Sequence, residues 1–399
     1  MNRQGFGRLT ALLLLALCLA MPAGAGTAES VSLSVPVYTE TACEWDEAGR
    51  LIAETVTDLS GAPAENSRGY ARAEYSWDQD GNLLTEAYFD AQGRPVNTDQ
   101  GYARAEYTYG RNAAGDSHVL SETRFAADGS PADIPGGYSS RRDIWEGDRQ
   151  VSCSWYDAAG NLTRPTGGYA RILYDTVENG DGTETVTTTW LDAEDKALVG
   201  PEGAGKTVVT YITDMAKAAE NSIVVKNALG LKRATGSRRA TVRLPLRTEI
   251  YAADGSPALG GSRWFREERT YDDRGNLTRI DTFDLDGNPI LAANGYASMV
   301  NTYDDRDRVV QTDYLGTQGE LIKMLNGYAR VTYEYYGDDR VHFERYFGAD
   351  GYRTMITNGY SMVEHEYDDA DKEEWDYSAT FYDTLDRYTM SNGGFAREE

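Results

Sequence analysis

The chain has 399 residues, with 64 acidic against 39 basic side chains and a formal net charge of −25. Such a surface repels nucleic acid and anionic membranes and favours cations or basic partners. Hydrophobic residues make up 40%, enough for a folded protein, while the 28 Tyr and 41 Gly point to aromatic packing and tight turns.

The first residues read as a secretory signal. Arg3 and Arg8 form the positive region, Leu9 to Ala20 an apolar run too short to span a bilayer comfortably, and Ala23-Gly24-Ala25 a cleavage site. Residues 1–25 are therefore expected to be removed, which takes away two positive charges and moves the net charge from −25 to −27. No second hydrophobic stretch follows, so the exported chain is expected to have no transmembrane segment. Export leaves Cys43 and Cys153, several repeats apart, and no disulfide is expected between them.

Residues 26–213 carry a repeat. Gly69-Tyr70-Ala71-Arg72, Gly101-Tyr102-Ala103-Arg104 and Gly168-Tyr169-Ala170-Arg171 match, and Gly137-Tyr138 is a weaker copy. Within one unit, Ala71, Ala73, Tyr75 and Trp77 alternate with Tyr70, Arg72, Glu74 and Ser76, the period of a half-buried strand. Asp78-Gln79-Asp80-Gly81-Asn82 is a hairpin turn and Leu83 to Phe89 the return strand. Asp90 to Pro95 is a second turn, in which Pro95 denies the following residues a full place in a sheet ladder. A lone hairpin is marginal in water, so the units must share a core by stacking.

Gly200-Pro201-Glu202-Gly203-Ala204-Gly205-Lys206-Thr207 matches the phosphate-binding P-loop letter for letter. Leu191 to Tyr211, however, aligns without a gap to Phe283 to Tyr303, so Gly203 is the repeat glycine and Lys206 enters a strand rather than a helix.

Residues 214–246 form a basic insert. Between 215 and 248 lie Lys217, Lys226, Lys232, Arg233, Arg238, Arg239, Arg243 and Arg247 against the single acid Glu220. Met215 to Asn227 has the character of a short helix that Gly230 would stop. Lys232, Arg233, Arg238 and Arg239 are candidates for binding a partner; the alternative is a solvated decoration lying on the acidic sheet.

Residues 247–399 resume the repeat. Gly295-Tyr296-Ala297-Ser298, Gly327-Tyr328-Ala329-Arg330 and Gly359-Tyr360-Ser361-Met362 follow one another at intervals of 32, and Gly394-Phe395-Ala396-Arg397 opens a further unit. The expected fold is all-β: an elongated array of tandem antiparallel β-hairpins, as a β-solenoid or twisted open sheet, with one short insert.

Site chemistry is sparse. Gly115-Asp116-Ser117 and Asp339-Arg340-Val341-His342 resemble the first and last blocks of a GDS-type esterase, but they fall at hairpin turns of different units. No Cys/His cluster has zinc spacing, and no carboxylate pair stands out among 64 acids. An EF-hand register with Gly81 sixth puts Ser76 first and Ala87 twelfth, and one with Gly287 sixth puts Ala293 twelfth, so neither supplies the bidentate Glu. No cofactor is expected beyond weak surface Ca²⁺, and the chain is expected to be non-catalytic. Tyr70, Tyr102, Tyr169, Tyr296, Tyr328 and Tyr360 recur on the face opposite the Ala/Tyr side. They could offer aromatic faces to a ligand, or pack on one another with their hydroxyls in water.

Tyr271-Asp272-Asp273-Arg274-Gly275-Asn276-Leu277-Thr278 resembles the YD repeat of bacterial RHS proteins, and Tyr303-Asp304-Asp305 and Tyr156-Asp157-Ala158-Ala159-Gly160-Asn161-Leu162-Thr163 are similar. The resemblance implies an extracellular antiparallel array, structural or toxin-associated. The Tyr/Phe-Asp-x-Asp-Gly pieces are also similar to choline-binding and clostridial-toxin repeats, which implies a glycan or wall-polymer ligand. The leading expectation is a secreted or surface-associated binding or scaffold module for glycan, wall polymer or an extracellular protein.

Overall fold

The computed structural model describes residues 39–113, 115–213, 243–272, 274–337, 339–368 and 376–398. The signal-like segment, and the candidate insert residues Lys232, Arg233, Arg238 and Arg239, lie outside them.

The described chain is a meander of ten hairpins and a final short strand. The first five hairpins are β1 (Thr39–Trp45) with β2 (Leu51–Asp58), β3 (Arg72–Trp77) with β4 (Leu83–Phe89), β5 (Arg104–Arg111) with β6 (Ser117–Phe125), β7 (Ser140–Glu146) with β8 (Arg149–Tyr156), and β9 (Arg171–Glu178) with β10 (Thr183–Leu191). The next three are β11 (Lys206–Ile212) with β12 (Leu244–Tyr251), β13 (Arg266–Tyr271) with β14 (Leu277–Phe283), and β15 (Ser298–Tyr303) with β16 (Val309–Leu315). Then come β17 (Arg330–Tyr335) with β18 (Val341–Phe347), β19 (Met362–Asp368) with β20 (Asp376–Tyr382), and β21 (Arg397–Glu398). All 21 strands belong to one sheet. Each pairs antiparallel with the next in sequence, and among the described residues nothing pairs β1 with β21, so the sheet is open. The expected hairpin array is present in its open-sheet form.

One turn is used three times per repeat. Asp78 N–H donates to Asn82 C=O at 2.9 Å, Asp90 N–H to Arg94 C=O at 2.8 Å, and Thr98 N–H to Tyr102 C=O at 2.9 Å. In each, the fourth residue closes an inner bond to the first. In the first turn that residue is Gly81, whose φ of +87° is costly for any side chain. The opening Asp adds a side-chain cap: Asp78 Oδ1 accepts the Asp80 and Asn82 N–H groups, both at 2.9 Å. These turn carboxylates are therefore occupied by their own loops. Hydrogen bonds from the turn, led by the Asn82 side chain at Asp78 and the Arg94 backbone at Asp90, hold their pKa below the usual carboxylate range.

Hairpins are paired along their length internally but meet their neighbours over short registers, except at β10–β11, which pair at seven positions from Thr183↔Ile212 to Thr189↔Lys206. β3 pairs with β4 at six positions, from Arg72↔Phe89 to Trp77↔Leu83, whereas β2 meets β3 only at Ala53↔Glu74, Glu54↔Ala73 and Thr55↔Arg72. The ends of the hairpins near the first turn are thus splayed, and carbonyls there lack a strand partner. Aromatic side chains fill that role. Trp77 Nε1 donates to Leu51 C=O at 2.7 Å, Tyr109 Oη to Leu83 C=O at 2.9 Å, and Trp145 Nε1 to Val119 C=O at 3.1 Å. Tyr271, Tyr303 and Tyr335 reach the carbonyls of Pro245, Leu277 and Val309 at 2.7, 2.8 and 2.8 Å. The Tyr-Asp pairs at 271–272 and 303–304 therefore have two jobs: the Tyr latches to the preceding repeat and the Asp caps the turn. Tyr156-Asp157, which looks alike in sequence, sits instead at a second turn, after β8, where Asp157 N–H bonds Asn161 C=O at 2.9 Å.

The P-loop match is the third turn of its unit. Gly200 N–H bonds Ala204 C=O, Lys206 opens β11, and its ammonium lies 4.6 Å from the Tyr251 ring centroid. The insert interrupts the hairpin β11–β12, which closes at Ile212↔Leu244. Leu244, Pro245 and Leu246, assigned to the insert from sequence, belong to β12. Cys43 and Cys153 are both free.

The turn carboxylates couple the stability of the fold to acid. Their folded pKa lies below the unfolded value of about 3.9, so they add stability above that pH and lose it as pH falls through the folded values. Asn66, which caps a third turn by accepting the Arg68 N–H at 2.9 Å, does the same uncharged. We expect Asp78→Asn to narrow the drop in urea midpoint between pH 5 and pH 3; an unchanged drop would remove the turn caps from the acid response.

Candidate ligand grooves along the aromatic ladder

The six repeat tyrosines do not lie opposite the core, as strand alternation implied. Tyr70 and Ala71 precede β3, in the passage from turn to strand, where the period of two does not apply. Tyr70 is 4% and Tyr102 7% exposed, whereas Tyr169, Tyr296, Tyr328 and Tyr360 are half-buried. Each turns inward beside the residue that precedes the last position of the return strand. Tyr70 and Tyr88 have ring centroids 5.0 Å apart, and Tyr88 and Tyr102 are 6.0 Å apart, edge to face.

These rings form a ladder with up to two rungs per repeat; Val56 and Ile250 hold the inner position, by the same backbone bonds, without a ring. In the C-terminal repeats it runs unbroken through Tyr296, Tyr314, Tyr328, Tyr346, Tyr360 and Phe381, at successive spacings of 5.0, 5.7, 4.9, 5.9 and 4.8 Å. Such spacings fall in the favourable stacked or tilted range, where each pair adds about 0.5–1.5 kcal/mol beyond area burial.

Several of the hydroxyls find carboxylates rather than open water. Glu86, on β4, accepts from Tyr102 at 2.8 Å, Tyr88 at 3.0 Å (through its other oxygen) and Tyr107 at 3.2 Å. Glu54 serves Tyr70 and Tyr75 one repeat earlier. Glu344 accepts from Tyr346 at 2.6 Å and contacts His365 Nε2 at 3.2 Å. Burial opposes ionisation of Glu344, but those hydrogen bonds prevail and lower its pKa. Burial first, and the neighbouring glutamates next, push the phenols of Tyr88 and Tyr138 up to about 12.

One rung is an arginine. Arg124 stands where Tyr88 stands a repeat earlier, and its guanidinium lies 5.0 Å from the Tyr102 centroid and 4.0 Å from that of Tyr138. Its Nε bonds Glu122 at 2.6 Å. A planar cation thus continues the stack between two rings. The sequence carried a signal for it, since Arg124-Phe125 occupies the place of Tyr88-Phe89. Sequence reasoning also missed the repeat at Arg263-Trp264-Phe265-Arg266. There Arg263 takes the glycine position at φ +67° and Trp264 the tyrosine position.

Two cavities sit where a repeat aromatic is replaced by threonine. At the splay between β8 and β9, Thr176 holds the position of Trp77. Beside it opens a cavity of about 690 Å³ lined by Trp145, Arg149, Tyr174, Thr176, Glu184 and Arg243, among others. Glu184 is buried there and bonds Arg243 Nε at 2.5 Å and Arg149 Nη2 at 3.4 Å. The other lies between Trp264 and Tyr296. A shallower groove of about 190 Å³ runs over the C-terminal ladder, between Asn326, Tyr328, Tyr346, Thr357, Asn358 and Tyr360.

The esterase-like pieces are not brought together. Ser117 opens β6, and His342 lies on β18, stacked 4.4 Å from the Tyr336 ring. Among the described residues, no group of three or more His, Cys, Asp or Glu is placed to hold a metal ion, and no helix is long and apolar enough to cross a membrane.

No family model matches this chain, and no curated protein does. Among solved structures, the crystal structure of TcdB2-TccC3-TEV aligns with 90% of this chain and 18% of its own, at 13% identity and a TM-score of 0.22. TcdB2-TccC3-Cdc42 aligns over the same shares at 13% identity and 0.20. A porin-like protein from Bacteroides uniformis aligns over 77% of this chain and 89% of its own, at 10% identity and 0.14. This chain spans less than a fifth of the first two. These likenesses are loose.

Raised phenol pKa values contribute stability below the unfolded value of about 10 and lose it as pH rises through the folded values. We expect most tyrosines to resist ionisation at pH 10.5, by absorbance at 295 nm, and then to titrate together with loss of β-sheet circular dichroism; independent titration near pH 10 would contradict the buried ladder. We also expect Arg124→Ala to cost about 3 kcal/mol in urea unfolding, because it strands buried Glu122. Arg124→Lys should recover less than half of that, for want of a planar stacking group.

Proposed function

We propose that this protein is a secreted, non-catalytic repeat module that binds an extracellular polymer, a glycan or cell-wall polysaccharide, along the open rim of its tyrosine ladder. The carrying observation is the grading of that ladder. Tyr70 and Tyr102 are sealed in the core, whereas Tyr296, Tyr328 and Tyr360 are half-buried, each preceded by an exposed asparagine: Asn294, Asn326 and Asn358. Aromatic faces and edges beside amide groups are the chemistry that holds sugar rings: apolar C–H faces against the π-system, hydroxyls to the amides. The site recurs with every repeat, so a polymer with its own repeat engages several weak contacts at once. The acidic surface, at −25 overall, disfavours nucleic acid and polyanionic partners. Export is supported by the N-terminal charge and apolar pattern.

The test is retention of the chain on insoluble wall polysaccharides, followed by affinity electrophoresis with soluble ones. Tyr328→Leu with Tyr360→Leu should weaken retention by about tenfold, since two aromatic contacts of about 0.5–1.5 kcal/mol each are lost. No retention on any polysaccharide, or retention indifferent to both substitutions, would reject the reading.

A further inference from the structure

One latch is missing. Among the described residues, six splayed junctions are closed by an indole or phenol that donates to a carbonyl 26 residues earlier, from Trp77 on Leu51 to Tyr335 on Val309. A seventh, β18–β19, has Tyr367 in that place. At β8–β9 the strands also meet at three positions only, Ser152↔Leu173 to Ser154↔Arg171, so this junction is splayed like the others. Its latch position is Thr176, and the carbonyl 26 residues earlier belongs to Gln150. Gln150 faces Trp145 across its hairpin as Leu83 faces Trp77, so its carbonyl holds the place that an aromatic donor reaches elsewhere. A threonine side chain is too short to reach it.

The space left open is the cavity of about 690 Å³, within the range of about 300–1,000 Å³ that small-molecule pockets occupy. Gln150 and Thr176 both line it, with Trp145 and Tyr174 as its rings. Trp145, Tyr174 and Thr176 are all half-buried, so the cavity opens to solvent. His118 lies against the Trp145 ring at 4.2 Å. Tyr174, Thr176, Glu184 and Val186 share one face of the β9–β10 hairpin, with Thr176 directly opposite Val186. Charge in the lining is uneven. Arg149 and Arg243 are both tied to buried Glu184, and Arg149 also to Glu178 at 2.6 Å. Glu146 and Asp148 form no ion pair among the described residues; Asp148 accepts the Ala113 N–H at 2.9 Å. A carboxylate entering the cavity therefore finds both arginines engaged, whereas an ammonium meets two carboxylates without a cation. Residues 214–242, which lie in sequence between Thr213 and Arg243 of the lining, include no Trp, Tyr or Phe, so that segment has no ring to supply.

We propose that the β8–β9 cavity binds a small aromatic ammonium compound whose indole N–H or phenol O–H donates to the Gln150 carbonyl, with its ammonium toward Glu146 and Asp148. The ligand supplies the latch that Thr176 omits. The chain's own latches define its chemistry: each closed junction is closed by a flat ring with one donor on its edge, never by an apolar ring such as Phe. The cavity is separate from the ladder rims to which the polymer reading belongs, and it stands or falls without that reading.

Calorimetric titration of the full chain with tryptamine tests it, beside 1-methyltryptamine, which lacks the ring N–H, and indole-3-propionate, which carries a carboxylate in place of the ammonium. Tryptamine should bind about tenfold more tightly than either analogue, the factor that one lost hydrogen bond or one reversed charge contact is worth. Thr176→Trp provides the latch from the chain itself, so it should weaken tryptamine binding by about tenfold or more while keeping or raising the thermal midpoint. The ligand comparison is made on wild type and decides the matter if Thr176→Trp does not fold. Tyr328→Leu with Tyr360→Leu should leave tryptamine binding unchanged. Absence of tryptamine binding, binding of either analogue within twofold of it, or a folded Thr176→Trp that binds like wild type would overturn the proposal. Loss of binding in the Tyr328→Leu, Tyr360→Leu variant would place tryptamine on the ladder rims and overturn it as well.

Discussion

Ring-to-ring contact between successive repeats is the constraint on which the rest of this structure depends. A two-stranded hairpin has no interior of its own, and at every junction here but β10–β11 the strands of adjacent hairpins share only short registers such as Ala53–Thr55 against Arg72–Glu74. Three backbone pairings cannot hold neighbouring units in one orientation. The aromatic rungs do so near the second and third turns, and the Trp and Tyr latches do so at the splayed first-turn ends. The repeat therefore favours an aromatic at two fixed places, so packing accounts for much of the tyrosine content before any binding role is added. Charge follows from the same arrangement. Each inner hydroxyl needs an acceptor once buried, and the glutamates at 54, 86 and 344 supply it from the return strand.

Much of this was legible in the sequence because turns and periodicity are local. The Gly-Tyr spacing, the Asp-x-x-Gly turns and the return strands stand where pattern places them, and the gapless match of 191–211 to 283–303 was enough to dismiss the P-loop letters. What was not legible depends on contacts between repeats. Alternation put Tyr70 on the outer face, because a period of two carries no information about a residue that precedes its strand. Tyr156-Asp157 and Tyr271-Asp272 are the same letters in different turns, and only the pairing separates them. Arg263-Trp264 went unrecognised because its glycine position is filled by an arginine held at positive φ, a cost of about 1 kcal/mol that the surrounding turn sustains. The rims that remain open could not be read at all, since the same Gly-Tyr motif is sealed at Tyr102 and half-open at Tyr328.

Repetition also gives departures from the pattern a meaning they lack in an irregular fold. When every unit uses the same bonds, a side chain that breaks the rule can be compared with its counterparts in the same frame. Arg124 breaks it conservatively, because a guanidinium is flat and stacks on both neighbouring rings. Ala204 breaks it by removal, and it is buried in one cluster with Trp190, whose ring lies so close to Gly200 that a Cβ there would meet it at 2.3 Å. The core closes in both cases.

Thr176 and Thr282 break the rule differently. Threonine is too small to span a rung or a latch, and a cavity lies beside each, bordered by Trp145 and Tyr174 at Thr176 and by Trp264 and Tyr296 at Thr282. An empty space of that size forfeits contacts on every wall, a cost that a nearest-neighbour array cannot spread beyond two interfaces. The array bears that cost where the intact rungs are most regular, beside the six-ring run that begins at Tyr296. Val56 and Ile250 hold the position of Thr282 in other repeats, so the backbone bonds there do not require a ring. A threonine there, almost wholly buried with its hydroxyl on the Ile290 and Ala297 carbonyls, exchanges ring contact for backbone hydrogen bonds.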